Sequence, residues 1–219
     1  MKHINIRKLL KNNNYQPNVM ASYIFLSPTN QPVTIDRLIF LFFCLSNNEV
    51  FSKRLNWNVT VSNGKEYDRY DNKYAKYIII SDNHEIVASV RLIETKYPHL
   101  LTGPFGDFFS SKHNASIEAT RFFVRKHSKY NRYPLCQILL SAMIEYCLDK
   151  QHDSIVAIVG SGMNKLLKKY GWAHNVIERC TLENKPIYLI NLPISLEVCK
   201  KIKEKASLDP GKIFLPISQ

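Results

Sequence analysis

Tyr77-Ile78-Ile79-Ile80-Ser81-Asp82-Asn83-His84-Glu85-Ile86-Val87-Ala88-Ser89-Val90-Arg91-Leu92 is the stretch whose reading decides the fold. Its first half is aromatic and β-branched, which suits a half- or fully buried strand. Asp82-Asn83 supplies turn chemistry, because short amides and carboxylates bond their own backbone. Ile86 to Leu92 then resumes an extended apolar run. Together they predict a β-hairpin.

Outward from the hairpin the pattern alternates between extended and helical periods. Ser116 to Val124, with Ile117, Phe122, Phe123 and Val124, reads as a further strand. Pro134 suits the first turn of a helix, where no N–H is needed. Leu135, Ile138, Leu139, Ala142, Met143, Tyr146 and Cys147 follow at helical spacing and predict one apolar face. Ser154 to Gly160 is a short apolar run between Asp153 and a glycine, hence a buried strand. Met163 to Tyr170 is helical in period, and Gly171 suits its C-terminal cap. Tyr188 to Leu192 is another strand. On the other side of the hairpin, Ile35 to Leu45 is apolar and favours a buried helix over a short strand, while residues 1 to about 34 show no strong periodicity. The order predicts a single α/β unit: a three-layer sandwich with a mixed, mostly antiparallel sheet.

Composition narrows the function classes. The chain has 219 residues, 45% hydrophobic and 22% charged, as expected for a soluble globular protein. Its longest apolar run, Leu38 to Leu45, is too short for a membrane span. The N-terminus carries no secretory pattern. Five cysteines, an odd number without a C-x-x-C pair, read as buried thiols of a reducing cytoplasm. Seven scattered histidines give no metal-ligand spacing, so no metal is expected. The formal net charge of +12 fits nucleic acid, a membrane surface or an acidic protein partner, and composition alone does not choose among them. Nucleic acid would fit the charge, but no helix-turn-helix or zinc pattern accompanies it.

The charged residues that carry chemistry lie around the hairpin. Glu66, Asp68 and Asp71 place three carboxylates within six residues, interleaved with Tyr67 and Tyr70. That pattern is either a solvated acidic loop or a site for a cation, since carboxylates and aromatic faces both favour positive charge. Arg91 lies inside an apolar strand and requires a carboxylate partner. Glu118 and Arg121 would point to opposite faces of a regular strand, because its period is two. A bulge between them would bring both to one face. Phe51 and Trp57 stand upstream, suited either to core packing or to an aromatic wall for an adenine ring or a sulfonium.

Taken in order, these residues resemble the N-acyl-homoserine-lactone synthases, the autoinducer synthases of bacterial quorum sensing. The family's Phe and Trp six apart match Phe51 and Trp57. Its Glu-x-Asp-x-x-Asp matches Glu66, Asp68 and Asp71. Its Arg-Leu followed by Thr matches Arg91, Leu92 and Thr95, and a downstream Phe matches Phe105. Its Glu-x-x-Arg-Phe matches Glu118, Arg121 and Phe122, and its helix-Gly-Trp end looks like Met163 to Trp172. The resemblance spans about residues 48 to 195, with residues 1–46 a divergent N-terminal segment and 47–219 the synthase domain. The Arg that the family carries four residues before its Phe is Asn47 here.

The resemblance implies an N-acetyltransferase-like fold and a cytoplasmic acyltransferase. Its substrates are S-adenosylmethionine and a fatty acyl group on acyl carrier protein, with no cofactor. Glu118 is implied as the base that deprotonates the methionine amine, with Glu66 second. Phe51, Trp57, Asp68, Asp71, Arg91, Phe105 and Arg121 are implied to hold adenosylmethionine. Phe122, Met143, Tyr146, Ala157 and Met163 are the expected acyl pocket. Family members that use 3-oxo acyl groups tend to have Thr where Ala157 aligns, which favours an unsubstituted short chain here. From Arg125 to Tyr170 eight Lys or Arg face three Asp or Glu. Of these, Arg125, Lys126, Lys150, Lys165, Lys168 and Lys169, with Lys129 and Arg132, are the expected docking face for an acidic carrier protein. An acyl-CoA-dependent N-acetyltransferase is the rival, with an inactive relative of the family as the other alternative. The place for its pyrophosphate loop, Lys129 to Cys136, has no glycine.

Overall fold

The computed structural model describes residues 2–5, 19–24, 61–62, 65–66, 68–82, 85–103, 105–126 and 133–211. The expected helix at 35–45, Asn47, Phe51, Trp57, Lys129 and Arg132 lie outside the described residues.

The hairpin is present as β5 (Lys76–Asp82) and β6 (Glu85–Glu94), paired antiparallel with Ile78 opposite Val90. It sits inside an eight-stranded sheet. The flanking strands are β1 (Lys2–Asn5), β2 (Val19–Ile24), β7 (Ile117–Val124), β8 (Ser154–Gly160), β9 (Asn175–Leu182) and β10 (Lys185–Pro193), in the order β1-β2-β5-β6-β7-β8-β10-β9. A separate two-stranded ladder joins β3 (Val61–Ser62) and β4 (Lys65–Glu66). One pair in the large sheet is parallel, β7 with β8, and the rest are antiparallel. The mixed, mostly antiparallel sheet is therefore as the sequence predicts.

Both faces of the hairpin are covered, which explains its unbroken apolar run. Ile78, Ile80, Ala88, Val90 and Leu92 pack on the helical side. Tyr77, Ile79, Ile86 and Ile93 pack on the other, against Tyr70 and Ala75. The helices α1 (Leu135–Asp149), α2 (Ser161–Lys169) and α3 (Leu196–Lys205) all contribute to the first cluster. The opposite layer is irregular, formed by residues 68–75 and 95–116 with the 3-10 turn Leu100–Thr102.

Helix α1 departs from the one-face expectation. The seven residues predicted to face the core are buried, but so are Leu140, Ser141 and Ile144. Sheet and α3 together enclose more than a single stripe. Pro134 sits one step earlier than predicted, as the residue flanking the helix, and its carbonyl accepts from the Ile138 N–H at 2.9 Å. Helix α2 ends as expected. Gly171 takes φ +90°, a conformation open to glycine. Trp172 is fully buried and donates through Nε1 to the Pro193 carbonyl at 2.9 Å, which fastens that end to β10.

Five strands and one helix had no counterpart in the sequence reading: β1 and β2, which lie in the stretch read as having no strong periodicity, the two-residue β3 and β4, the strand β9 and the helix α3. β9 is an edge strand with a largely exposed outer face, so its alternation is weak. Helix α3 had a readable start: the Ser195 hydroxyl accepts from the Val198 N–H, and Glu197 lies in the first turn. The thiols of Cys147 and Cys199 are buried as expected, whereas Cys136 and Cys180 are partly exposed. No helix among the described residues is long and apolar enough to cross a membrane.

α3 is tied to α1 by a buried ion pair, Lys203 Nζ to Glu145 Oε1 at 2.6 Å, with both side chains under 10% exposed. Breaking such a pair leaves a buried charge, whereas replacing both partners does not. Lys203→Met should lower stability by about 3–5 kcal/mol in urea titration. The double change Lys203→Met with Glu145→Leu should recover most of that loss.

Candidate functional site

Two acidic side chains and two guanidiniums close into a cage on the face away from the helices. The segment 68–75 first folds on itself. Asp71 Oδ2 accepts from the Asp68 N–H at 2.8 Å, and Asp68 Oδ1 accepts from the Tyr70 N–H at 2.7 Å. The Asn72 side chain accepts from the Tyr74 N–H at 2.9 Å. These short-range bonds are what Asp and Asn supply best. They aim both carboxylates at β6.

Arg91, fully buried, is the centre of the cage. Its Nη1 donates to Asp68 Oδ1 and to Asp71 Oδ1, each at 2.7 Å, and its Nε donates to Thr120 Oγ1 at 2.9 Å. Arg121 Nη2 reaches Asp68 Oδ2 at 3.0 Å and Asp71 Oδ2 at 3.1 Å. The Tyr77 hydroxyl also donates to Asp71. The Tyr70 ring centroid lies 4.9 Å from the Arg69 guanidinium carbon and 5.8 Å from that of Arg91. Burial works against the charge on Arg91, but Asp71 and Asp68 more than offset it and raise its pKa. Burial likewise raises Asp68, yet Arg91 and then Arg121 hold its carboxyl below the usual range. Exposure separates the two acids: the Asp68 side chain is 31% exposed and that of Asp71 is 1% exposed.

A bulge brings Arg121 into the cage. Ser89 pairs with Phe123 and Arg91 with Thr120, so β7 carries one extra residue between these pairs. Arg121 takes φ +53° there. Ile117 and Ala119 face the helices before the bulge, and Phe122 and Val124 face them after it. The extra residue has shifted the parity. Of the two arrangements open to the sequence, the bulged one holds: Glu118 and Arg121 share a face.

Glu118 is 1% exposed and occupies a distinct place in the sheet. The parallel ladder between β7 and β8 registers only Ile117 with Ile155 and Glu118 with Val156. Beyond it β7 continues to Val124 and β8 to Gly160 without pairing to each other. Glu118 thus stands where the two strands part. Its carboxylate accepts from the N–H groups of Leu100 at 3.1 Å and Leu101 at 3.2 Å. Burial pushes its pKa above the ordinary glutamate range, against the pull of those N–H groups, His99 and Arg91. The same turn touches the cage. A Cβ on Gly103 would lie 1.8 Å from the Tyr70 hydroxyl oxygen, so only glycine permits this approach.

Residues 40–202 match the family model for autoinducer synthase. The chain belongs to that family. Its similarity to named members is broad. It is 37% identical over 157 residues to an acyl-homoserine-lactone synthase of Pectobacterium carotovorum subsp. carotovorum, covering 68% of this chain and 73% of that one. It is 41% identical over 152 residues to one from Yersinia enterocolitica, covering 66% and 71%. The fold is similar to that of BjaI, a CoA-dependent acyl-homoserine lactone synthase solved with SAM and isopentyl-CoA. The TM-score is 0.74 and identity 18%, over 86% of this chain and 89% of that chain. The enzyme class is therefore that of an acyl-homoserine-lactone synthase, an acyltransferase.

The remaining expected residues fall on the synthase as follows. Met143, Tyr146 and Ala157 are buried in the helix-side core, and Phe122 and Met163 pack against it. The five form part of one cluster, on the opposite face of β7 from the cage. Phe105 is apart from both. It lies on Val156 and Leu189 with Leu101 and Phe109, and its ring centroid is 5.7 Å from that of Phe108. For Glu66 only the backbone, in β4, is described. Lys126, Lys150, Lys165, Lys168 and Lys169 are exposed, and Arg125 is half-buried. Lys150 pairs with Asp149 at 2.8 Å. Tyr70, read from the sequence with the acidic cluster, joins the cage, and Tyr77 and Thr120 complete it without having been assigned to the site from the sequence. Tyr77 could have been found as the residue opposite Arg91 in the predicted hairpin. Among the described residues, no group of three or more His, Cys, Asp or Glu could hold a metal ion.

Asp68 stabilises the fold only while ionised. With its folded pKa below the unfolded value, that contribution is full above about pH 4–5 and is lost as pH falls through the folded value. Asp68→Asn should be less stable than wild type at pH 7 by about 1–3 kcal/mol. Its stability should also fall less steeply on acidification, by up to about 1.4 kcal/mol per pH unit. Denaturant midpoints measured from pH 7 down to pH 3 check both.

Proposed function

We propose that this synthase joins S-adenosylmethionine to a fatty acyl group carried by acyl carrier protein, with Glu118 as the base. The observation that carries the reading is the placement of Glu118: a buried carboxylate with a raised proton affinity, at the point where β7 and β8 part. A raised pKa makes a carboxylate a better proton acceptor, and the opening beside it gives a thioester room to approach. Glu118, directly or through water, takes a proton from the methionine ammonium. The amine nitrogen bonds the thioester carbon, and the carbon–sulfur bond breaks. The carrier's thiol leaves, taking up the second nitrogen proton. The methionine carboxylate then attacks its own γ-carbon, and methylthioadenosine departs with the other carbon–sulfur bond. Backbone N–H groups along β7 and β8, beyond their two-pair ladder, suit the oxyanion that forms on the thioester.

The cage fits the recognition of adenosylmethionine. Asp68, the more exposed acid, is assigned to the substrate ammonium, and the buried Asp71 orders the segment that carries it. Arg91 and Arg121 hold both in place. Phe51, Trp57 and Phe105 are assigned to the adenosine or sulfonium, and Glu66 is the second candidate base. Phe122, Met143, Tyr146, Ala157 and Met163 are assigned to the acyl chain, and Ala157 offers no hydroxyl to a 3-oxo group. No cofactor is required, and a carrier-bound donor places the reaction in the cytoplasm.

Cells expressing the chain should release acyl-homoserine lactones detectable by mass spectrometry. Glu118→Gln should lower kcat by about 10²–10⁴-fold with little change in KM for adenosylmethionine. Full activity in that variant would refute the assignment. Lys165→Glu with Lys168→Glu should raise KM for acyl carrier protein by roughly ten-fold and leave KM for adenosylmethionine unchanged. Equal effects on both would sink the docking assignment. The fold neighbour BjaI is CoA-dependent, so saturation by acyl-CoA and indifference to acyl carrier protein would reassign the donor.

A further inference from the structure

The irregular layer reaches farther than the turn that holds Glu118. From that turn the chain continues through Phe105 to Ser111 across the cage-side face of the sheet. It starts at β7, where the Leu100 and Leu101 N–H groups donate to Glu118. Leu101, Phe105 and Phe109 then pack with Val156 of β8 and Leu189 of β10. It arrives at the edge strand β9, and so spans the four strands β7-β8-β10-β9. Its own backbone links the two ends. The Phe105 N–H donates to the Leu100 carbonyl at 3.2 Å, and the Phe108 N–H donates to the Phe105 carbonyl at 3.2 Å.

Packing alone does not fix the far end. Phe109 is buried, but Phe108 is 42% exposed, and Ser110 and Ser111 are exposed. Two residues of β9 fasten it instead. Glu178 lies opposite Leu189 and Cys180 opposite Ile187, so both stand on the face the segment crosses. Glu178 Oε2 accepts from the Ser111 N–H at 2.8 Å, and the Ser110 hydroxyl donates to the same carboxylate at 3.3 Å. The Cys180 thiol donates to the Phe108 carbonyl. The Ser111 N–H holds the Glu178 carboxyl below the ordinary glutamate range, so the acceptor is ionised at neutral pH. The mechanism has no use for a carboxylate at this edge of the sheet, three strands along from Glu118.

We propose that Glu178 is a positioning residue for adenosylmethionine binding: from β9 its carboxylate anchors residues 105–111 as a strap and so holds the Phe105 ring in place. This rests on Phe105 contacting adenosylmethionine. A ring that is already ordered contributes more to binding than one that must be ordered by the ligand. Glu178 acts through Phe105 and not on the reacting atoms. Its loss therefore weakens binding and leaves the chemical step of the bound complex as it was.

The experiment compares Glu178→Ala, Glu178→Gln and Phe105→Ala in the full chain. Glu178→Ala should raise KM for adenosylmethionine by about three- to ten-fold, with kcat within about two-fold of wild type. Glu178→Gln keeps an oxygen for the Ser111 N–H and should recover most of that loss. A fall in kcat at unchanged KM would mark a merely structural role and overturn the proposal, as would a Glu178→Gln no better than Glu178→Ala. Hydrogen exchange reads the anchoring directly. The Phe105 and Phe108 amides should exchange about ten-fold faster in Glu178→Ala, with the amides of β6 unchanged. Unaltered exchange at both positions overturns the strap. An unchanged KM in Phe105→Ala would remove Phe105 from the adenosylmethionine site, whereas a raised KM there with a wild-type KM in Glu178→Ala would sink this inference alone.

Discussion

A guanidinium with no access to water sits in the middle of the sheet, and the surrounding architecture answers to it. Arg91 could not be buried among Ile79, Ile93 and Tyr77 without compensating charge. Asp68 and Asp71 supply that charge, presented by a loop that lies just upstream of β5 in the chain. Two carboxylates near one guanidinium would leave an excess of negative charge. Arg121 restores the balance, and it reaches the cage only because β7 is bulged at that residue. The bulge in turn reverses which residues of β7 face the helices, placing Phe122 in the apolar cluster. Electrostatic closure on one face of a strand has set the packing on the other.

The same chain of consequence reaches Glu118. Tyr70 belongs to the loop that carries Asp68 and Asp71, and its hydroxyl abuts Gly103. Gly103 ends the turn whose first N–H groups hold Glu118. Cage and carboxylate are joined through an aromatic ring and a missing side chain. A substitution at Gly103 that left every charged residue intact would still force these two parts of the site to separate.

Much of this was legible in the sequence, for identifiable reasons. The hairpin, β7, β8 and the main helix are enclosed by the core, so their apolar runs stand out. β9 lies at the edge of the sheet and α3 is short and lysine-rich, and neither carries a long apolar pattern. The charged set was legible because Arg91 and Glu118 stand out against apolar strands. Their grouping was not, because it depends on one extra residue in β7 that a period of two cannot reveal.

The eight strands are in effect two plates. β1, β2, β5, β6 and β7 make one, and β8, β10 and β9 the other, with a ladder of two residue pairs as the seam in the sheet. The ion cage lies wholly on the first plate, in β6, β7 and the segment before β5. The apolar cluster spans both, with Phe122 on one side of the seam and Ala157 on the other. A small change in the angle between the plates alters the room beside Ala157 and leaves every cage distance as it was. On the proposed acyl assignment, the seam lets the length of chain accepted change while the opposite face of the same strand stays fixed.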